Sequence, residues 1–350
     1  MKAVVCEKVG EPWKVVDNLP TPEPSPDQIL VKSIYTAINP ADWMMASMGV
    51  LVQDWPLVAG LDAAGVVVKV GENAASSFKV GDHVCGCTRL GAPGYSAGQE
   101  YFLMDANVTI PKPSNVTLVE AATIGVGALT SALGLFGGLD VKLPELQDVK
   151  DDKEETLAEP GEWAVVLGGA SSVGKFGSQI LKACGYKVIA SCSAKSVALV
   201  KQSVDAVFDY NKPVEEQVKE VLSVTKGNIH RVYDAAATGI EFASALFKEL
   251  PNGPKLFATT NSWSGITDFE GATTNLIQLA AIGRPDAEQL NNQLASYIPV
   301  LVAMFEKKKL LPSPYDLIGE GGFECAIEAL NYQKTGAGGA NKVVVKIQDE

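Results

Sequence analysis

The stretch EWAVVLGGASSVGKFGSQILKACGYKVIASCSAK, residues Glu162–Lys195, decides the fold. The apolar run Trp163 to Leu167 is short enough for a buried parallel strand. Gly168-Gly169-Ala170-Ser171-Ser172-Val173-Gly174 follows as a turn, and Phe176, Ile180, Leu181 and Cys184 then space out one buried face of a helix. Gly185 ends that helix, and Tyr186 to Ala190 opens a second strand. Strand, glycine turn, helix and strand form the unit that seats a pyrophosphate at a helix N-terminus, so residues 169–174 are candidate cofactor-binding positions. In the G-x-G-x-x-G pattern Gly169 and Gly174 hold the outer places and Ser171 stands in the middle one. A serine there makes the backbone swing wider and leaves a hydroxyl that can donate to a phosphate oxygen. Gly177, one turn on, lets the helix pack closely on the strand. A glycine-rich turn between any strand and helix would look similar, but the strand–turn–helix context is the one a nucleotide site requires.

The end of the second strand bears on the cofactor. An NAD site places Asp or Glu about 20 residues past the glycines, on the ribose hydroxyls. The matching segment here is Ser191-Cys192-Ser193-Ala194-Lys195, without a carboxylate. Two hydroxyls and an ammonium suit a 2′-phosphate, so Ser191, Ser193 and Lys195 point to NADP. The same residues also suit a helix N-cap serine followed by a solvated lysine, and both roles can hold together.

The chain has 350 residues, which favours two domains. Hydrophobic residues at 47% and charged residues at 20% describe a soluble globular protein. A net charge of −12 speaks against nucleic-acid and anionic-membrane partners. No apolar run is long enough to span a membrane, and MKAVVCEKVG has no signal-peptide core. Six scattered cysteines suggest no disulfide framework, so the expected location is a reducing one, the cytoplasm.

Taken in order, 2–6 and 29–37 read as strands, separated by the proline-rich TPEPSPD. Ala37 to Trp43 is a turn into a short helix, and Pro56 to Val70 a turn followed by a β-branched strand. This density of strands before any long helix indicates a β-rich, barrel-like domain. Beyond the glycine turn, 206–208, 229–235 and 255–260 read as further strands and Leu276 to Ile282 as a sixth. Alternating β and α elements give an α/β fold with a doubly wound parallel sheet. A helix from Pro285 to Lys309 returns the chain to the first domain, which Lys342 to Ile347 closes as its last strand. The expected division is therefore 1–126 with 285–350, and 127–284. Residues 139–161, with eight acidic residues and two prolines, read as a charged surface loop.

Asn39-Pro40, Gly60 to Gly65, Val80-Gly81-Asp82-His83-Val84, Glu100-Tyr101, Thr130, the glycine turn and Lys342-Val343-Val344-Val345 together resemble the medium-chain dehydrogenase/reductase superfamily. The resemblance runs along essentially the whole chain. It is nearest to the zinc-independent quinone oxidoreductases and enoyl reductases, and among those to the trans-acting enoyl reductases of fungal polyketide pathways. It implies a GroES-like barrel domain beside a Rossmann domain, with the site in the cleft between them. It also implies a threonine at Thr130 that hydrogen-bonds the nicotinamide, where the residue alone could equally back-bond along its helix. Tyr210 falls where NADP-binding relatives put a tyrosine against the adenosine phosphate. Zinc alcohol dehydrogenases hold their metal at positions matching Asn39, Leu61-Asp62 and Val126, a set without the soft or imidazole donors zinc needs. The expectation is no metal, with Cys85 and Cys87 as buried strand residues.

The reaction implied is NADPH-dependent reduction of an activated C=C, with a small molecule or an acyl thioester as substrate and a polyketide synthase as partner. Asn39 is either an amide donor to the carbonyl or ribose, or a turn residue before Pro40. Relatives read N-P-x-D-W-K, and Met44 replaces that lysine, leaving the proton donor unassigned. Two other readings stay open: a quinone or enone reductase for small diffusible substrates, and an NADPH-binding protein without turnover.

Overall fold

The computed structural model describes residues 1–153, 157–251, 253–265, 268–269 and 271–350. By internal contacts the chain divides into two units, the first made of Met1–Val126, Leu279–Glu306 and Pro312–Glu350, the second of Gly127–Gln278 with Lys307–Leu311.

The first unit is built on β3 (Gln28–Ile38), whose residues QILVKSIYTAI are buried along most of their length. Before it come β1 (Ala3–Cys6) and β2 (Lys14–Val16). After it, Asn39 caps α1 (Pro40–Met48), and Pro40 suits a first helical turn because its missing N–H would be unpaired there anyway. β4 (Leu57–Val58), β5 (Asp62–Val70), β6 (His83–Cys87), β7 (Tyr101–Asp105) and β8 (Ile110–Pro111) follow. β3 pairs antiparallel with both β5 and β7, so it lies in the middle of its sheet. α2 (Gly125–Ala132) carries the chain from the first unit into the second and runs on as a π-helical turn over Leu133–Gly138.

The second unit carries β9 (Trp163–Leu167), α3 (Ser172–Ala183), β10 (Lys187–Cys192), β11 (Ala206–Asp209), α4 (Val214–Thr225), β12 (Ile229–Asp234), α5 (Ile240–Glu249), β13 (Leu256–Thr259) and β14 (Thr273–Leu276). Its six strands are all parallel, in the order β11-β10-β9-β12-β13-β14. The order reverses at β9, which opens a crevice beyond the carboxyl ends of β9 and β12. Val165, Ile189, Phe208, Val232, Phe247 and Phe257 fill the core beneath the sheet.

α6 (Glu288–Glu306), β15 (Tyr315–Leu317), α7 (Phe323–Lys334) and β16 (Lys342–Lys346) return to the first unit. β16 pairs antiparallel with β3, and Val343 and Val345 pack with Phe323, Ala326 and Leu330 of α7. The whole is an α/β fold: a doubly wound parallel sheet and a separate β-rich unit.

Two expectations need correcting. The sixth strand is Thr273–Leu276, and Leu279–Ala281 forms a 3-10 turn whose Leu279 is buried beside Ile282. An apolar run marks burial, and in so short a piece it does not separate strand from turn. The 139–161 segment is not simply a solvated loop: Leu146–Lys150 is helical, and Leu139, Val141 and Val149 are buried. Residues 154–156 of that reading lie outside the described residues.

Candidate functional site

In the second unit the glycine turn joins β9 to α3 as its sequence requires. A Cβ at Gly174 would stand 2.2 Å from the carbonyl oxygen of Gly168, so only glycine lets the helix start there. At Gly177 it would meet the Tyr233 ring at 2.5 Å, the close helix–strand packing expected. Ser171 is the N-cap: its Oγ accepts the Gly174 N–H at 2.9 Å. The same hydroxyl donates to Gly168 O at 2.9 Å, so its one hydrogen is engaged within the turn rather than held out for a phosphate. That corrects the role expected of the Ser171 hydroxyl. Twelve residues of α3 remain behind the turn, and the N-terminus they present suits an anion. Gly169, Ala170, Ser172 and Val173 complete the approach to it.

Ser191, Ser193 and Lys195 lie at the carboxyl end of β10, and they divide by burial. Ser191 is buried and its Oγ accepts the Gly168 N–H at 2.9 Å, which ties the turn to the neighbouring strand. Ser193 precedes a 3-10 turn over Ala194–Ser196, and its hydroxyl lies 3.4 Å from that of Ser196. Lys195 is exposed and makes no ion pair with a described residue. Tyr210 follows β11, which pairs with β10 so that Asp209 lies opposite Cys192, and its ring is exposed. Asp209 is a nearby carboxylate, but it accepts from Asn211 N at 2.9 Å and Asn211 Nδ2 at 2.8 Å, which hold its pKa down. The half-buried Ser193 hydroxyl and the exposed ammonium and phenol thus lie toward one edge of the sheet, and these residues fit a phosphorylated ribose.

Thr130 lies on α2 and is buried, yet its hydroxyl makes no hydrogen bond to a described residue. The back-bonding alternative falls to the next residue instead: Ser131 Oγ donates to Gly127 O at 2.9 Å and to Val173 O at 2.8 Å. Asn261, just past β13, was not expected from the sequence. Its Nδ2 donates to Ala237 O at 3.0 Å, whereas its Oδ1 is buried without a partner among the described residues. The polar pair Thr260-Asn261 after the apolar LFA of β13 is the sequence signal that could have found it.

In the first unit Asn39 is buried inside a polar cluster. Its Nδ2 donates to Asp62 Oδ2 at 3.0 Å and to Ala37 O at 3.3 Å, and its Oδ1 accepts from Lys342 Nζ at 2.5 Å. Both amide hydrogens are therefore engaged, so the structure corrects the role of donor to a substrate carbonyl or ribose. Lys342 Nζ also lies 2.6 Å from Asp62 Oδ2. Asp42, fully buried, accepts Asn39 N at 2.8 Å and Gly60 N at 2.7 Å. Burial pushes its carboxyl up to about 6, against the pull of those two N–H groups. Cys85 and Cys87 are buried in β6, and burial raises both thiols, Cys85 to about 12. Among the described residues no group of three His, Cys, Asp or Glu side chains could hold a metal ion. No helix of the described chain is long and apolar enough to cross a membrane.

Residues 25–114 match the alcohol dehydrogenase GroES-like domain. The chain is 34% identical over 219 residues to the trans-enoyl reductase gkaC of Penicillium citrinum, covering 61% of this chain and 58% of that one. It is 27% identical to the trans-enoyl reductase poxP of Penicillium oxalicum over 389 aligned positions, covering 100% and 94%. The matched region thus spans less than two thirds of gkaC and nearly all of poxP. An alcohol dehydrogenase superfamily protein from Novosphingobium aromaticivorans has the same fold, with a TM-score of 0.77, 22% identity and coverage of 99% and 100%. Together these matches support a protein of the medium-chain dehydrogenase/reductase superfamily. Within it, the chain is similar to the fungal trans-enoyl reductases.

Proposed function

We propose that the protein is an NADPH-dependent oxidoreductase that reduces the activated C=C bond of an α,β-unsaturated thioester or carbonyl, acting in trans in polyketide or related secondary metabolism. The observation that carries the cofactor half is the half-buried Ser193 with the exposed Lys195 and Tyr210 at the edge of the parallel sheet, beside a capped helix N-terminus. The substrate half rests on similarity to the trans-enoyl reductases. Bound NADPH supplies the hydride, which leaves orientation and electrostatics to the chain.

The N-terminus of α3 and the backbone of 169–174 hold the pyrophosphate, and Lys195 with Ser193 holds the 2′-phosphate as charge-assisted hydrogen bonds. Thr130, whose hydroxyl has no described partner, holds the carboxamide of the nicotinamide. Hydride delivery to the β-carbon leaves an enolate that needs one proton at the α-carbon. Met44 has no proton to give, and Asn39 is engaged elsewhere, so water supplies it. No metal enters this scheme: an amide, one carboxylate already paired with an ammonium, and Leu61 do not make a zinc site.

The test is to follow NADPH absorbance with 2-enoyl thioesters, free enones and quinones offered in turn. Turnover of thioesters is expected. Turnover of quinones and free enones alone would favour the small-substrate reading. Tight NADPH binding without oxidation of any of them would favour the non-catalytic reading that Met44 raises.

A further inference from the structure

The positions matching the zinc ligands of metal-dependent relatives do come together in the first unit, but around a lysine. Lys342 opens β16, 303 residues after Asn39, and its side chain is 6% exposed. Its ammonium lies 2.5 Å from Asn39 Oδ1 and 2.6 Å from Asp62 Oδ2. The other oxygen of Asp62 accepts the N–H of Val126 at 2.6 Å, in the first turn of α2. A Cβ at Gly125 would stand 2.5 Å from that oxygen and 2.3 Å from the carbonyl carbon of Gly86, so a glycine is needed for the carboxylate to reach the helix. Asp42 holds the backbone N–H of Asn39 on one side and that of Gly60 on the other. One ammonium therefore ties the starts of α1 and α2 to β5 and β16. A buried ion pair is a poor device for stability, since apolar residues of the same shape often serve as well, whereas it does fix geometry.

We propose that Lys342 is a positioning residue of the reductase, a cation belonging to the protein that stands where metal-dependent relatives hold zinc. Through Asp62 it sets the start of the helix that bears Thr130, and through Asn39 it sets the start of α1. The catalytic part of this inference rests on the function proposed above; the anchoring of the two helix starts does not.

The experiment compares wild type, Lys342→Met and Lys342→Met/Asp62→Asn. The double change removes both charges at nearly constant shape, so a folded protein is available even where the single change leaves Asp62 buried and unpaired. Three quantities are read: amide hydrogen exchange at Asn39 and Val126, the Kd for NADPH, and kcat and KM for a 2-enoyl N-acetylcysteamine thioester. Faster exchange at both amides is expected in each folded variant. The NADPH Kd should change far less than kcat, because of the proposed cofactor contacts only Thr130 lies on a helix whose start Lys342 sets. kcat should fall about 100-fold, as misplacement of a positioned group by roughly an ångström can do. Wild-type kcat in either folded variant, or wild-type protection of Val126 in Lys342→Met, overturns the proposal. If wild type binds NADPH but turns over no thioester, the functional reading fails, and the exchange data alone decide the role of Lys342.

Discussion

Lys342 and Lys195 bear the same side chain in opposite surroundings. In the first unit Lys342 is enclosed, its charge answered by Asp62 and Asn39 at hydrogen-bond distance. In the second, Lys195 stands in solvent without an ion-pair partner among the described residues. A buried ammonium must be paired, because removing either partner leaves an unsolvated charge. An exposed one is nearly neutral for stability and is available to an anion that arrives later. The contrast extends to whole regions. Unit one uses its polar groups on one another, and unit two keeps hydroxyl, ammonium and phenol at its edge.

The comparison breaks most sharply at the glycine turn. Gly174→Val places carbon within 2.2 Å of Gly168 O, so NADPH binding should be lost in a fluorescence titration; normal affinity would mean the turn is no cofactor seat. Next is Asp62→Ala, which strands the Lys342 charge and frees Val126 N. Unfolding in urea should show a loss of about 3–5 kcal/mol, and a loss within error would deny that the cluster holds anything.

Asp42 sharpens the contrast through pH. Its folded pKa, about 6, lies above the ordinary 3.8, so its protonated form is favoured by folding. The stability this contributes is complete below about pH 4 and disappears as pH rises through about 6. Wild type should therefore lose more stability than Asp42→Asn between those limits, by at most about 3 kcal/mol. Parallel pH curves for the two proteins would refute the shift.

Lys195→Ala should weaken NADPH by about 1–3 kcal/mol, as expected for a charge-assisted hydrogen bond, and leave NADH and Tm unchanged. Equal losses for both cofactors would remove the 2′-phosphate from the account. The smallest effect expected is none: dialysis against a chelator should leave thioester reduction unaltered, and loss of activity restored by zinc would reverse the metal-free scheme.

The elements of unit two were legible because their signals are local. The apolar run of β9, the helical spacing of Phe176, Ile180 and Leu181, and Gly174 and Gly177 all lie within the nineteen residues 163–181. The hydroxyls were legible only as residue types. Ser171 and Ser191 look alike in the sequence, yet one donates within the turn and the other accepts from it. Asn39 read as a donor because two of its partners, Asp62 and Lys342, lie outside its local stretch of sequence.

By itself the sequence determined the strand–turn–helix, the glycines it needs and the missing carboxylate after β10, because backbone geometry and side-chain periodicity act over a few residues. Only the tertiary structure decided which polar groups are left over for a ligand. Asn39 and Lys342 meet across 303 positions of chain. Burying a charge forces it to find an opposite one wherever the fold brings it, and no local pattern records that choice.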